Sequence, residues 1–557
     1  MDLLVDLFGY LSVLLRGFVL TSQTLTVGGV AFVLLLLQPL AGELGACPTP
    51  VVARVRRLLT WSALGLAASE MLTLAVQATV LVGTLAIPVQ DALSTSFAVA
   101  AAAISLGALA IVVGVARASE SLRAYVLVPA VLVILGAQVV ASHAAARIDA
   151  RAAMEFAGFI HMGAAGVWLG GLPYLLSSLA GTSQPSAWSP IGRRYSLMSM
   201  VAVALLICAG ITMAIEYVGS RDALYGTAYG AMVVTKALLL GGMLFLGSMN
   251  YRLVRKLGDN SGTAVLTLRR FVEAELGIGL TALFAAGSLT SQPPGADLTT
   301  DRATWTEIVQ QLTPSLPRLT SPDYDSLAIS RLDEQIARAA AGHEPVPLAF
   351  IPGEGLPPPR NAMDIAWSEF NHHWAGLLLL GIALLALLER IPRFGWARHW
   401  PLGMVVLAIA VVWRADPEVW PTGKIGLFES LREPEVAQHR VFECLAASIG
   451  IIEWRARMGF ASGRRLLLLF PLLCALGGTL LLSHSHVLAN AKDQLLIEIT
   501  HLPLALGAIT AAWSRWIQVR LEGTPSRIAA WIWPAALLVV ALSLLFYREP
   551  WTAQDAV

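Results

Sequence analysis

STSFAVAAAAISLGALAIVVGVA, residues 94–116, runs for 23 positions without one charged side chain. A helix needs about 20 apolar residues to cross the hydrocarbon core of a bilayer, so this stretch reads as a membrane span. Working outward from it, similar runs near 10–40, 58–86, 124–143, 152–176, 196–218, 228–254 and 268–290 bring the first half to eight helices. A polar stretch with PPG, SPDYDS and GLPPP follows from Ser291 to about Glu369, too acidic to cross a membrane. Six more helices lie near 372–389, 400–414, 437–454, 465–483, 495–516 and 528–547. The composition agrees, since 56% of the 557 residues are hydrophobic and only 13% are charged, against about 25% charged in a soluble domain. The expected fold is an all-α polytopic membrane protein of about 14 transmembrane helices. Residues 1–295 form an eight-helix bundle, 296–369 a loop segment and 370–557 a second, six-helix bundle.

A net charge of +1 argues against a nucleic-acid partner, because binding phosphates takes a concentrated basic face. Four cysteines, Cys47, Cys208, Cys444 and Cys474, are far apart and form no C-x-x-C pair, which disfavours zinc ribbons and attached c-type haem. The start, MDLLVDLFGYLSVLLRGFVL, has no basic region before its apolar run and reads as a retained first helix. Basic residues gather in alternate loops, among them Arg54, Arg56 and Arg57, Arg193 and Arg194, and Arg255 and Lys256. The 291–369 segment instead holds five Arg against eleven Asp and Glu. By the positive-inside rule the Arg-rich loops face the cytoplasm, which puts 291–369 and both termini on the outer, periplasmic side.

That orientation sorts the histidines. His143, His372, His373, His439, His484 and His486 fall at or near outer helix ends, and His343 falls in the outer loop. His161 and His501 sit about 7 to 9 residues inside helices that begin on the same side, roughly 10 to 14 Å deep. Only His399 is cytoplasmic. Histidine within a membrane helix marks an ion path, a proton relay or a metal site more often than chance placement does. Two segments echo each other: SHAAARIDARAAMEFAGFIH at 142–161 and SHSHVLANAKDQLLIEITH at 483–501 both begin Ser-His and return a His in the next helix.

The sharpest pattern is HMGAAGVWLGGL, from His161 to Leu172. Met154, His161 and Trp168 are spaced seven apart and share a helical face, and a thioether beside an imidazole suits copper. A methionine at helical spacing is more commonly plain packing, and a buried His can be a hydrogen-bonding core residue. Glu498, three residues before His501, is placed to accept that ring's second proton. Lys236, in the middle of the seventh helix, calls for a carboxylate partner.

Several of these motifs, taken in order, resemble the CopD family of bacterial inner-membrane proteins of copper resistance and copper uptake. They are SHAAA at 142–146, the H-x6-W-x-G-G-L pattern from His161, LYGTAYGAMVVTKALLL at 224–240, MNYRL at 249–253, and RRFVEAELGIGLTAL followed by PPG at 293–295. The resemblance covers roughly residues 1–295. It implies an outward-facing His site and copper movement across the inner membrane, often alongside a periplasmic copper-binding protein of the CopC type; the chain has no fused β-rich copper-binding domain, which leaves a separate donor, or none, open. The second half supplies further imidazoles. The candidate metal ligands are therefore His143, Met154, His161, His372, His373, His439, His484, His486 and His501, with copper as the cargo.

A b-type cytochrome is the rival reading, with His161 and His501 as axial haem ligands if their helices adjoin. A non-transporting copper assembly factor is another. No Walker A loop, H-E-x-x-H helix or G-x-S-x-G elbow appears at a usable position, so an enzyme is the weaker expectation. Reporter fusions at Gly295 and at the C-terminus are expected to be active only with a periplasmic reporter. Cytoplasmic activity at either point would break the orientation.

Overall fold

Apolar residues recur at helical spacing along most of the chain, and the computed structural model is helical where they do. It describes residues 2–43, 49–143, 147–179, 188–256, 262–327, 331–342, 361–460, 466–483 and 491–550. Each of the fourteen expected segments is a helix. In the first half these are α1 (Phe8–Leu40), α2 (Pro50–Leu85), α3 (Ser96–Arg117), α4 (Ser121–Val140), α5 (Arg151–Leu179), α6 (Pro190–Val218), α7 (Ala228–Lys256) and α8 (Ala264–Leu289). The second half contributes α9 (Ala362–Leu388), α10 (Pro392–Arg414), α11 (Pro434–Arg457), α12 (Leu466–Leu482), α13 (Ala491–Arg520) and α14 (Gly523–Leu545). The described residues contain no β-strand, only an isolated bridge between Val419 and Ile425.

Twelve of the described helices, all but α11 and α12, are long and apolar enough to cross a membrane. The two exceptions have separate causes. At about 1.5 Å per residue, α12 is shorter than a hydrocarbon core of about 30 Å. α11 is long enough, but it carries charges that are paired within the protein: Arg440 with Glu443 at 3.0 Å, and Glu453 with Arg457 at 2.9 Å and with Arg515 of α13 at 2.6 Å.

The chain divides into two compact units. One comprises Ser12–Ser220 with Lys236–Ala296, and the other Met1–Leu11, Arg221–Thr235 and Asp297–Val557. In the first, α2 buries Val55, Leu59, Ala63 and Leu66, and α3 buries Ile104, Ala108, Ile111 and Val115. Both stripes follow the three- and four-residue steps of one helical face. Glycines then set how closely backbones approach. A Cβ on Gly28 of α1 would lie 2.2 Å from the Gly170 carbonyl carbon, and one on Gly170 of α5 would lie 1.9 Å from the Thr24 oxygen. At that crossing α5 is wound as a π-helix over Gly166–Gly170.

In the second unit, Leu379, Ile382, Ala383 and Ala386 of α9 form a stripe of the same kind. Trp400, Phe470 and Trp533 meet with ring centroids 5.5 to 5.8 Å apart. Gly376 lets α9 lie against α14, where an added Cβ would come 2.3 Å from the Leu545 nitrogen. Asp6, near the start of the chain, pairs with Arg432 at 3.0 Å, just ahead of α11.

Gly28→Leu and Gly170→Leu are each expected to cost at least the ~1–3 kcal/mol typical of overpacking, because the obstructing atoms are backbone. Gly136→Leu, where an added Cβ meets nothing within 4 Å, is the control. The fraction of protein surviving heating in detergent, read by fluorescence size exclusion, checks it.

Candidate functional site

The second unit brings its histidines together. α9 begins at Ala362, ahead of the expected start, because Asn361 and Asp364 form a capping box there. His372 and His373 therefore do not open their helix at the surface. His372 lies ten residues in, roughly 15 Å along the axis, and His501 lies equally far inside α13. The rings of His372 and His501 meet edge to face with centroids 5.9 Å apart, and Tyr547 stacks on His372 at 4.0 Å.

Hydrogen bonds fix the tautomer of each ring. A carbonyl can only accept, so His372 Nδ1 donates to the Ser368 oxygen at 2.9 Å, and His501 Nδ1 donates to the Ile497 oxygen at 2.8 Å. Both partners lie four residues earlier on the same helix. In each ring Nε2 is then the unprotonated nitrogen, the form that binds a metal. The expected Glu498 partner is replaced by this carbonyl, which a ring folded back along its own helix reaches directly; Glu498 accepts from Gln494 at 3.0 Å.

His373 differs. Its Nδ1 accepts from the Arg318 backbone N–H at 2.6 Å and its Nε2 donates to the Tyr547 oxygen at 2.8 Å, so both ring nitrogens are spent. It ties segment 304–327 to the end of α14 and is no metal ligand in this arrangement. His439 donates from Nδ1 to the Asp416 carboxylate at 3.1 Å, the carboxylate–histidine pair that commonly stands behind a metal ligand. Ser368 and Tyr547 both donate to Glu549, at 2.6 and 2.8 Å. His484 and His486 lie outside the described residues, as does His343. Among the described residues, no three of His, Cys, Asp and Glu form a ready-made metal cage.

In the first unit, His161 Nδ1 donates to the Leu206 oxygen of α6 at 3.2 Å, leaving Nε2 with the lone pair. Met154 is fully buried. The thioether that meets polar groups is Met162, whose sulfur accepts from Gln23 Nε2 at 3.6 Å. Gln23 belongs to a buried chain that the sequence reading missed. With the Gln138 carboxamide oriented to suit its neighbours, its nitrogen donates to Gln23 Oε1 at 3.0 Å and its oxygen accepts from both Arg16 amino groups at 2.7 and 2.8 Å. His143 donates from Nε2 to the Thr290 oxygen at 3.1 Å. The two histidines of the haem alternative, His161 and His501, fall in different units, and each is engaged inside its own.

Trp168 does not share the His161 face as a regular helix would place it, because the π-turn begins between them. Its indole N–H donates to Glu275 Oε1 at 3.0 Å, and Asn250 Nδ2 donates to Glu275 Oε2 at 2.7 Å. Glu275 is thus held by neutral donors from α5 and α7. Lys236 forms no ion pair among the described residues; instead it stands within electrostatic reach of His161.

Residues 189–289 match copper resistance protein D, CopD. The likeness to that family is confined to this region. It spans α6 to α8 with Asn250 and Glu275, a narrower stretch than the 1–295 expected. A segment of 139 residues is 32% identical to the copper transport protein CutJ of Bacillus subtilis (strain 168). It covers 24% of this chain and 24% of CutJ, so about a quarter of that relative's length is matched. No solved structure matches the chain at a significant level.

Burial alone would raise the Asp416 carboxyl, but the His439 ring, by charge and hydrogen bond, and the Arg440 guanidinium hold it below its ordinary range. At pH values between its folded and unfolded pKa, the unfolded chain binds a proton that the folded one does not. The pair's contribution is therefore complete above the ordinary value of about 3.9 and fades as pH falls through the lower folded value. Thermal unfolding in detergent should show stability falling in that window, with a smaller fall in Asp416→Asn.

Proposed function

We propose that this is a copper-handling membrane protein that takes copper from the outer face and passes it toward the cytoplasm, with the His372–His501 pair as a receiving site. The observation that carries this reading is the pair itself: two imidazoles, each ten residues inside its helix on α9 and α13, with rings edge to face at 5.9 Å and each Nδ1–H anchored on its own helix. Imidazole nitrogen suits copper, and Cu(I) accepts few ligands, so two rings with one further donor suffice. His439, oriented by Asp416, is the neighbouring candidate for that donor. His484 and His486 keep their place as candidates on sequence grounds. His161, with the same tautomer, is the ligand proposed in the first unit.

The CopD match at 189–289 and the likeness to a copper transport protein support copper as the cargo. The inner membrane as the location, import as the direction, and a CopC-type periplasmic donor complete the proposal, each following from the resemblance and from the loop charges.

His372→Gln and His501→Gln are each expected to weaken Cu(I) binding by tenfold or more in purified protein. Asp416→Asn should weaken it by about 10–100-fold, the usual effect of removing a ligand's outer partner. In cells, His161→Gln should accumulate normally and lose copper uptake, whereas His399→Gln, whose ring accepts from Trp454 at 3.1 Å, should change little. Unchanged copper stoichiometry in the His372/His501 double variant would remove the pair from the site.

A further inference from the structure

The first unit holds a half-open cavity of about 620 Å³ lined by parts of α5, α6, α7 and α8. That volume falls within the roughly 300–1,000 Å³ of small-molecule sites. Its walls are mainly apolar, with Val203 and Ile207 of α6 facing Leu244 of α7, and one end carries Trp168, Asn250 and Glu275. Every wall belongs to a candidate membrane span and most of the lining is apolar, with Arg252 as the charged exception besides Glu275, which favours a lipid-soluble occupant.

Most polar groups at this end are already committed. The indole N–H of Trp168 and the amide N–H of Asn250 both go to Glu275, and the Tyr195 hydroxyl goes to the Trp168 carbonyl. What is left is the Ser199 hydroxyl, which lines the cavity and can donate or accept, and one group that can only accept. Asn250 Oδ1 is buried and has no hydrogen-bond partner, on a side chain 7% exposed. A buried acceptor without a partner is among the costly states of a folded protein, and acyl chains, which carry no N–H or O–H, leave it so. The missing piece is a hydroxyl on an apolar, flat body that fits against the Trp168 and Tyr195 rings.

We propose that this cavity binds a lipid-soluble aromatic diol of the quinol class, one hydroxyl donating to Asn250 Oδ1 beside Glu275. The site shares no residue with the copper ligands proposed above, so the two readings fail independently. Only binding is claimed, with no electron transfer.

The chemistry gives a direct test, because the oxidised quinone has the same shape and no hydroxyl to donate. Short-chain quinol, kept reduced, and its quinone are titrated into full-length protein in phosphatidylcholine nanodiscs, with binding corrected for partition into the lipid. Quinol is expected to bind about tenfold tighter, the effect of one hydrogen bond to a buried acceptor. In Glu275→Gln the new amide N–H2 meets Asn250, whose carboxamide turns to offer its oxygen to it and its own N–H2 to the cavity. The preference should then reverse in favour of quinone, which a merely structural role for Glu275 would not produce. Ala204→Trp, at the exposed mouth of the cavity, fills the space without touching the polar end and should abolish binding of both. Equal affinity for quinol and quinone, quinol binding that survives Ala204→Trp, or retention of phospholipid alone would each overturn the proposal. If Glu275→Gln does not fold, the quinol–quinone contrast and Ala204→Trp still decide it.

Discussion

A carboxyl group on an apolar membrane helix has to find its hydrogen bonds inside the protein, since the bilayer offers none. Glu275 of α8 meets that demand with Trp168 of α5 and Asn250 of α7, and much of the first unit is arranged around it. The indole arrives through the π-turn at Gly166–Gly170, which re-aims one turn of α5. That turn exists where Gly28 and Gly170 let α1 and α5 touch backbone to backbone. The Tyr195 hydroxyl from α6 then bonds the Trp168 carbonyl. Five helices are thereby coupled to one buried acid, and the glycines follow from the acid's need as much as from packing.

The second unit meets a similar demand by a local device. An imidazole four residues after a helical carbonyl can satisfy its own N–H without any partner helix, and His372 and His501 both do so. The device makes each ring independent of neighbouring helices for its Nδ1 proton. His373, one residue on from His372, points to a different neighbour and is consumed by it. The segment 304–327 is drawn in by the same contact and by Ser315, which donates to the Tyr547 oxygen at 2.8 Å. A loop that reads as a polar spacer in the sequence is thus joined by hydrogen bonds to the histidine region.

The helices were legible in the sequence because apolar runs of span length leave few alternatives: all fourteen expected segments are helical, and twelve of them are long and apolar enough to cross a membrane. The count of spans was less legible. Glu453 of α11 pairs with Arg515 of α13, a partner that hydropathy cannot see. His161 and His501 were recognisable as deep histidines, since depth follows from position along a helix. His372 was misjudged as a surface residue because a capping box at Asn361 starts α9 about ten residues early. Trp168 departs from the Met154–His161 face for another local reason: seven-residue spacing predicts a shared face only while the winding stays regular, and the π-turn begins at Gly166. Arg16, Gln23 and Gln138 went unnoticed because each is a lone polar residue on its own helix, and only tertiary packing makes them a chain.

The CopD match and the histidine pair concern different parts of the chain. The match covers α6 to α8, where it contains Asn250 and Glu275 and no histidine at all. The family-like region is therefore built on a buried acid and its neutral donors, while the groups best suited to a soft cation lie on α9 and α13 or, with His161, on α5. A cation moving through a membrane needs ligands that exchange, and an imidazole with one nitrogen anchored can exchange at the other without disturbing its helix. A carboxylate already shared between Trp168 and Asn250 has less freedom, because taking up a cation there would loosen the joint that holds α5, α7 and α8 together. On that ground the anchored imidazoles are the better proposal for copper ligands, and the Glu275 joint belongs with the shape of the first unit.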